Sequence, residues 1–150
     1  MAKKFKLEVI WRVKHRLEEN LKRELGQILM ELTQARHRRR RLEEKSAAER
    51  AELDERMMTG IMVNDLLTRE AHLQALREMG ALAELEIADV LKRLEQVKTR
   101  LFEATKERKI MDKLRDRFRR QQAYLLQKEE EKNLAAVALD RYVRRRNEPA

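Results

Sequence analysis

Three histidines, one serine, several carboxylate runs and one block of arginines are the residues of this 150-residue chain whose types could do chemistry. A metal site built on a helix needs ligands spaced three or four apart, on one face. His15, His37 and His72 are too scattered for that. Ser46 has no base beside it in the sequence, so no activated nucleophile is legible. The run "QKEEEK" (127–132) reads as a solvated helix face with i,i+4 pairing rather than an acid/base dyad. There is no GxxxxGK[ST] phosphate loop, so the chain is not expected to hydrolyse nucleotide itself. We read no catalytic residue, no metal ligand, no cofactor and no enzyme.

The densest basic run is "RHRRRR", residues 36–41. With a net charge of +9, it raises the possibility of nucleic-acid binding. On a helix these side chains spread around the circumference, and no aromatic residue interleaves them to stack on bases. Lys and Arg are also good helix formers that keep a long surface soluble. A solvated shaft or an acidic protein partner is the favoured reading, with a basic coiled-coil nucleic-acid binder as the alternative.

The elements that would carry these residues follow from composition. Charged residues make up 42% of the chain and aromatics 4%, too polar for a compact core. Yet 42% is hydrophobic, rich in Ala and Leu, which indicates long helices with a narrow apolar seam. There is no cysteine, which suits a reducing compartment. The longest apolar run is about six residues, against the ~20 needed to span a bilayer. The start "MAKKFKLEVIWRVK" carries Glu8 and makes a poor secretory signal. A cytoplasmic protein is expected.

An a/d stripe is visible in both halves. The first runs Ile10, Val13, Leu17, Leu21, Leu25, Ile28, Leu32, Ala35, then Leu42 and Leu53; its steps of four from Val13 to Leu25 suggest a stutter. The second runs Leu73, Leu76, Gly80, Ala83, Ile87, Val90, Leu94, Val97, Leu101 and Ala104 in strict 3-4 rhythm, then thins through Arg108 and Arg115. Between them "MMTGIMVNDLLTRE" (57–70) holds a helix stop at Thr59-Gly60 and candidate caps at Asn64 or Thr68. The expected fold is all-α: one long antiparallel two-helix coiled-coil hairpin over residues 1–150, helix 1 about 4–58, turn about 59–66, helix 2 about 67–146. Folding at residue ~62 puts Ile28 opposite Val97 and Leu17 opposite Arg108. It leaves residues ~121–146 overhanging by roughly 35 Å.

That overhang contains "NLAAVALDRYVRRRNEPA" (133–150). Leu134, Val137, Ala138 and Tyr142 share one helix face, and Leu139 and Val143 widen it. The hairpin offers them no partner, and burying each large side chain in a complex is worth ~1.5–3 kcal/mol. Heterologous docking is the favoured reading; a frayed end or self-association of two overhangs is the bland one, and a generic homodimeric coiled-coil spacer, with the long helices pairing between chains, is a further alternative for the whole chain.

The opening "KFKLEVIWRVKHRLEENLKREL", the turn region "GIMVND…HLQALRE" and the ending "KERKIMDKLRDRFRRQQAYLLQKEEEKNLAAVALDRYVRRR" resemble the FliJ family, the coiled-coil component of the bacterial flagellar type III export apparatus. Virulence secretion systems have counterparts of the same architecture. The resemblance implies a non-enzymatic stalk, similar to the central subunit of rotary ATPases. It would bind the hexameric export ATPase, promote ring assembly and couple the ring to the cytoplasmic domain of the export gate. The regulator of that ATPase and export chaperones are further implied partners, and the implied location is the cytoplasmic face of the inner membrane. On this sequence the ring-directed end corresponds to the start of the N-terminal helix and the overhang, around Leu134, Val137, Leu139, Tyr142 and the cluster of Arg141, Arg144, Arg145 and Arg146. The implied gate contact falls on Leu42, His72, Leu76, Met79 and Ala83, with charge at Arg38, Lys45 and Glu49 where the family pattern has polar or aromatic residues.

Overall fold

The computed structural model describes residues 4–148, which form two long α-helices packed against each other as an antiparallel hairpin. These are α1 (Glu8–Thr59) and α2 (Val63–Asn147), and the described residues contain no strand. The stop at Gly60 is where the sequence puts it. Gly60 has φ 106°, where an L side chain is strained, and its N–H reaches the Arg56 carbonyl at 2.9 Å. The link is shorter than the sequence suggests, because α2 already begins at Val63. Neither expected cap holds. The Met62 carbonyl accepts from the Leu66 N–H at 3.0 Å, and the Thr68 hydroxyl donates back to the Asn64 carbonyl at 2.9 Å, as a mid-helix threonine does.

The chain divides into two compact units. In Glu19–Glu103 the core is Ile28, Leu32 and Ala35 against Ile87, Val90, Leu94 and Val97, with Leu25 packed beside them. Ion pairs flank it at Glu24–Arg100 (3.3 Å), Glu31–Arg93 (2.8 Å) and Arg38–Glu86. Each step of seven along α1 is answered by a step of seven back along α2, the register of an antiparallel heptad pair. Toward the turn the seam positions Arg39, Ser46 and Glu49 are only half-buried, and apolar burial resumes at Leu53, Leu73 and Leu76. Gly80 does not mark a close approach of the helices, since a Cβ there would meet nothing within 4 Å. A groove of about 480 Å³ opens instead, lined in part by Leu42, Ser46, Leu76 and Gly80.

In the second unit, Met1–Glu18 with Ala104–Ala150, the expected seam is wrong by one residue. Ile10, Val13 and Leu17 are 45%, 56% and 42% exposed. The residues turned to α2 are Trp11, Lys14, His15 and Glu18. Trp11, Lys14 and Glu18 keep the 3-4 spacing back from Leu21, so the heptad continues without a stutter and only its apolarity stops. The reason lies on α2, where Arg108, Asp112 and Arg115 face inward. A leucine opposite Arg108 would take away the acceptor of its Nε–H and leave the half-buried guanidinium with Asp112 of its own helix, whereas Glu18 supplies a carboxylate from α1. The rings of Phe5 and Phe118 lie 5.4 Å apart beyond these residues. From Ala123 to Glu148 every residue is exposed, so the overhang read from the sequence is present. Pro149 and Ala150 of its tail lie outside the described residues.

Candidate functional site

The polar residues of the second unit form one connected cluster. The Trp11 Nε1–H donates to Asp112 Oδ1 at 2.7 Å, and His15 Nε2 lies 2.9 Å from the same oxygen. Arg108 donates from Nη1 to Asp112 Oδ2 (2.8 Å) and from Nε to Glu18 Oε2 (2.6 Å). Arg115 donates to Glu8 at 3.0 Å, and its guanidinium sits 3.8 Å over the Trp11 ring. Burial pushes the Asp112 carboxyl up, but hydrogen bonds from His15, Arg108 and Trp11 outweigh it and hold the group down at about 2. The hydrogen bonds to Glu18 and Asp112 in turn raise the Arg108 pKa. No buried side-chain polar atom among the described residues lacks a partner. Its hydrogen bonds run between α1 and α2, so the cluster's chemistry is to fix the register of two helices. Sequence reading missed it by following apolarity. Heptad continuity back from Leu21 would have found Trp11 and Glu18.

The overhang offers the clearest unpartnered surface. Leu134, Val137, Leu139 and Tyr142 are each half or more exposed. A shallow surface runs along Leu134, Val137, Ala138, Arg141, Tyr142 and Arg145, so apolar and cationic groups lie side by side. Arg144 stands on another face and pairs with Asp140 at 3.3 Å. Of the expected ring-facing residues of the overhang, all but Arg144 are thus exposed without an ion pair, and Arg144 is tied locally.

The residues implied for the gate divide differently. Leu76 and Ala83 are buried in the helix pair, and Leu42 is half-buried at the groove it shares with Leu76. Met79 is exposed, and His72 is exposed 3.6 Å from Glu49. Met79 and His72 are available to a partner, Leu42 only along the groove, and Leu76 and Ala83 not at all without parting the helices.

Charge is distributed unevenly. Glu19–Glu103 carries sixteen Lys and Arg against seventeen Asp and Glu, a net −1. The other unit carries twenty against ten, so the whole positive excess of the chain arises there. The block at Arg36–Arg41, the centre of the nucleic-acid reading, belongs to the balanced unit. Arg38, Arg39 and Arg40 each pair with a glutamate there. Among the described residues no helix is long and apolar enough to cross a membrane.

Comparison with known proteins gives one result. A family model described as "Flagellar FliJ protein" matches residues 3–147. No curated protein and no solved structure matches the chain.

Proposed function

The chain belongs to the FliJ family and is thus a component of the flagellar export apparatus, and from this premise we propose that it serves as a non-enzymatic stalk of the hexameric export ATPase. In this reading the exposed stretch from Leu134 to Arg145 docks in the ATPase ring, promotes its assembly and activity, and the hairpin couples the ring to the cytoplasmic domain of the export gate. The ATPase regulator and export chaperones are further partners. The protein works in the cytoplasm, at the periphery of the inner membrane.

One observation carries the proposal. A helix with an apolar stripe and an arginine row continues past the last residue that its own unit can cover. A helix exposing four large apolar side chains to water gains by burying them, and a complex is the place to do so. Arg141 and Arg145 beside the stripe are placed to meet acidic groups in that complex.

The test is a pair of surface substitutions, Leu134→Asp and Tyr142→Asp, in the full chain. Helicity and melting should match the parent, because neither side chain packs on the hairpin, while capture of the export ATPase and stimulation of its hydrolysis should be lost. Undiminished stimulation by the double variant would sink the docking assignment. Coupling to the gate is read separately, by capture of the gate's cytoplasmic domain by Met79→Asp and His72→Asp variants.

A further inference from the structure

The balanced unit carries two exposed faces of opposite charge that neither the ring contact nor the gate contact uses. On α2, residues 78–91 hold four carboxylates and no Lys or Arg, in a chain of net charge +9. Glu78, Leu82, Leu85 and Asp89 follow one another by four, three and four, so they share one side of the helix. Buried Ala83, Ile87 and Val90 take the other side, and Leu82 and Leu85 are 66% and 67% exposed. On α1, residues 32–42 hold five arginines and no carboxylate. Ile28, Leu32 and Ala35 are buried in the helix pair, which leaves Leu29, Met30, Thr33, Arg36, His37 and Arg40 along the outer side, all exposed. Among the described residues, the Arg38–Glu86 pair alone joins the two runs within a hairpin. Arg36, Arg41 and Glu84 have no ion-pair partner there, and Arg40 meets Glu44 only at 3.9 Å.

We propose that the Leu82–Leu85 face of one copy receives the Leu29–Arg40 face of a second copy, so that copies of the chain associate through their balanced units. The two faces match in length as well as charge: residues 29–40 and 78–89 each extend over about 16 Å at 1.5 Å per residue. Leu29 and Met30 offer apolar cover to Leu82 and Leu85, while Arg36 and Arg40 meet carboxylates of the facing run. Each face thus has its complement on the same chain, and any concentrated solution of the protein supplies it. Pairing of like faces is disfavoured, since it sets arginine against arginine or carboxylate against carboxylate. A lipid surface or nucleic acid would be held by the arginines but repelled by the carboxylates around Leu82 and Leu85, leaving those leucines in water. Two balanced units, each at net −1, meet without strong repulsion. One pair of three-turn faces stays below the ~1,000 Å² that a stable interface clears, so the contact is weak. The inference goes beyond the stalk reading and uses no residue assigned to the ring or the gate.

Sedimentation velocity of the full chain from about 5 to about 500 µM, at low and at raised salt, tests it. The expected mass rises with concentration past that of a dimer, because a heterologous contact leaves one face of each kind free, and association weakens with salt. Leu82→Glu/Leu85→Glu and Arg36→Glu/Arg40→Glu should each weaken self-association by about tenfold or more, with helicity and melting unchanged. Mixed in equal amounts, these two variants should pair one to one at the parent's affinity and grow no further, since each keeps the face the other lacks. Leu134→Asp/Tyr142→Asp should associate like the parent, so this inference and the ring docking fail separately. The proposal is overturned by a parent chain that stays monomeric throughout at low salt, or by a mixture of the two variants that does not pair. Self-association abolished by Leu134→Asp/Tyr142→Asp overturns it as well. So does an Arg36→Glu/Arg40→Glu chain that loses binding to a DNA duplex but self-associates at the parent level.

Discussion

Glu18 and Arg108 meet at 2.6 Å on facing positions of the two helices, with the Glu18 side chain only 6% exposed. A charged pair at a seam position sets register, because no slip of either helix keeps both groups satisfied. Breaking it from one side should therefore be worse than removing it whole. Arg108→Leu leaves Glu18 buried beside an apolar group and should destabilise by about 2–3 kcal/mol. The double variant Glu18→Leu/Arg108→Leu should recover most of that loss. Urea unfolding followed by circular dichroism reads both, and a double variant as unstable as the single would argue against the pair.

Asp112 gives the same cluster an acid limit. Its carboxyl is held at about 2 in the folded chain against an ordinary value of 3.8. A depressed carboxylate contributes stability that is present above the unfolded value and is lost as pH falls through the folded one. Asp112 is a third exposed, so after solvent screening the contribution is on the order of 1 kcal/mol. Melting temperature should fall between about pH 4 and pH 2, and less steeply in Asp112→Asn. Parallel slopes for the two chains would show that the cluster does not carry this linkage.

The three glycines should separate cleanly by backbone. Gly26 and Gly80 are helical, and a Cβ at either would meet nothing within 4 Å. Gly26→Ala and Gly80→Ala should each stabilise by about 0.5–1 kcal/mol through helix propensity. Gly60→Ala forces a side chain into φ 106° and should destabilise by about 1 kcal/mol. Thermal melts of the three variants check the order, and a stabilising Gly60→Ala would contradict the turn.

What could be read without coordinates depended on whether one physical signal acted alone. From Leu25 to Ala35 and from Leu73 to Ala104 the apolar spacing is the register, so the helix pairing and the Ile28–Val97 layer followed from it directly. The Gly60 stop was legible because backbone freedom there has one residue type to supply it. At the N-terminal end two signals competed. Ile10, Val13 and Leu17 look like a seam, but charge on Arg108 and Arg115 demanded carboxylates opposite, and a pattern of apolar residues does not record that demand. The Leu134–Tyr142 stripe was visible for a related reason: apolar periodicity persisted where pairing arithmetic left no partner. Burial of Leu76 and Ala83 was implicit in the seam itself, and a patch carried over by resemblance hid it.

That burial makes a prediction about how gate variants should be interpreted. Leu76 is 4% exposed and packs between the helices, so Leu76→Ala should cost about 2–4 kcal/mol of stability. Any loss of gate binding by this variant would then confound folding with contact. Met79, at 51% exposure one helical turn on, packs against little, and Met79→Ala should change stability by less than about 0.5 kcal/mol. If the gate contact lies on this side of α2, Met79→Ala weakens capture of the gate domain while its melt stays at the parent value. A gate contact built on Leu76 instead requires the helices to part. It would then be strengthened, not weakened, by substitutions that loosen the neighbouring seam, such as Leu53→Ala, and capture assays on the two variants separate these cases.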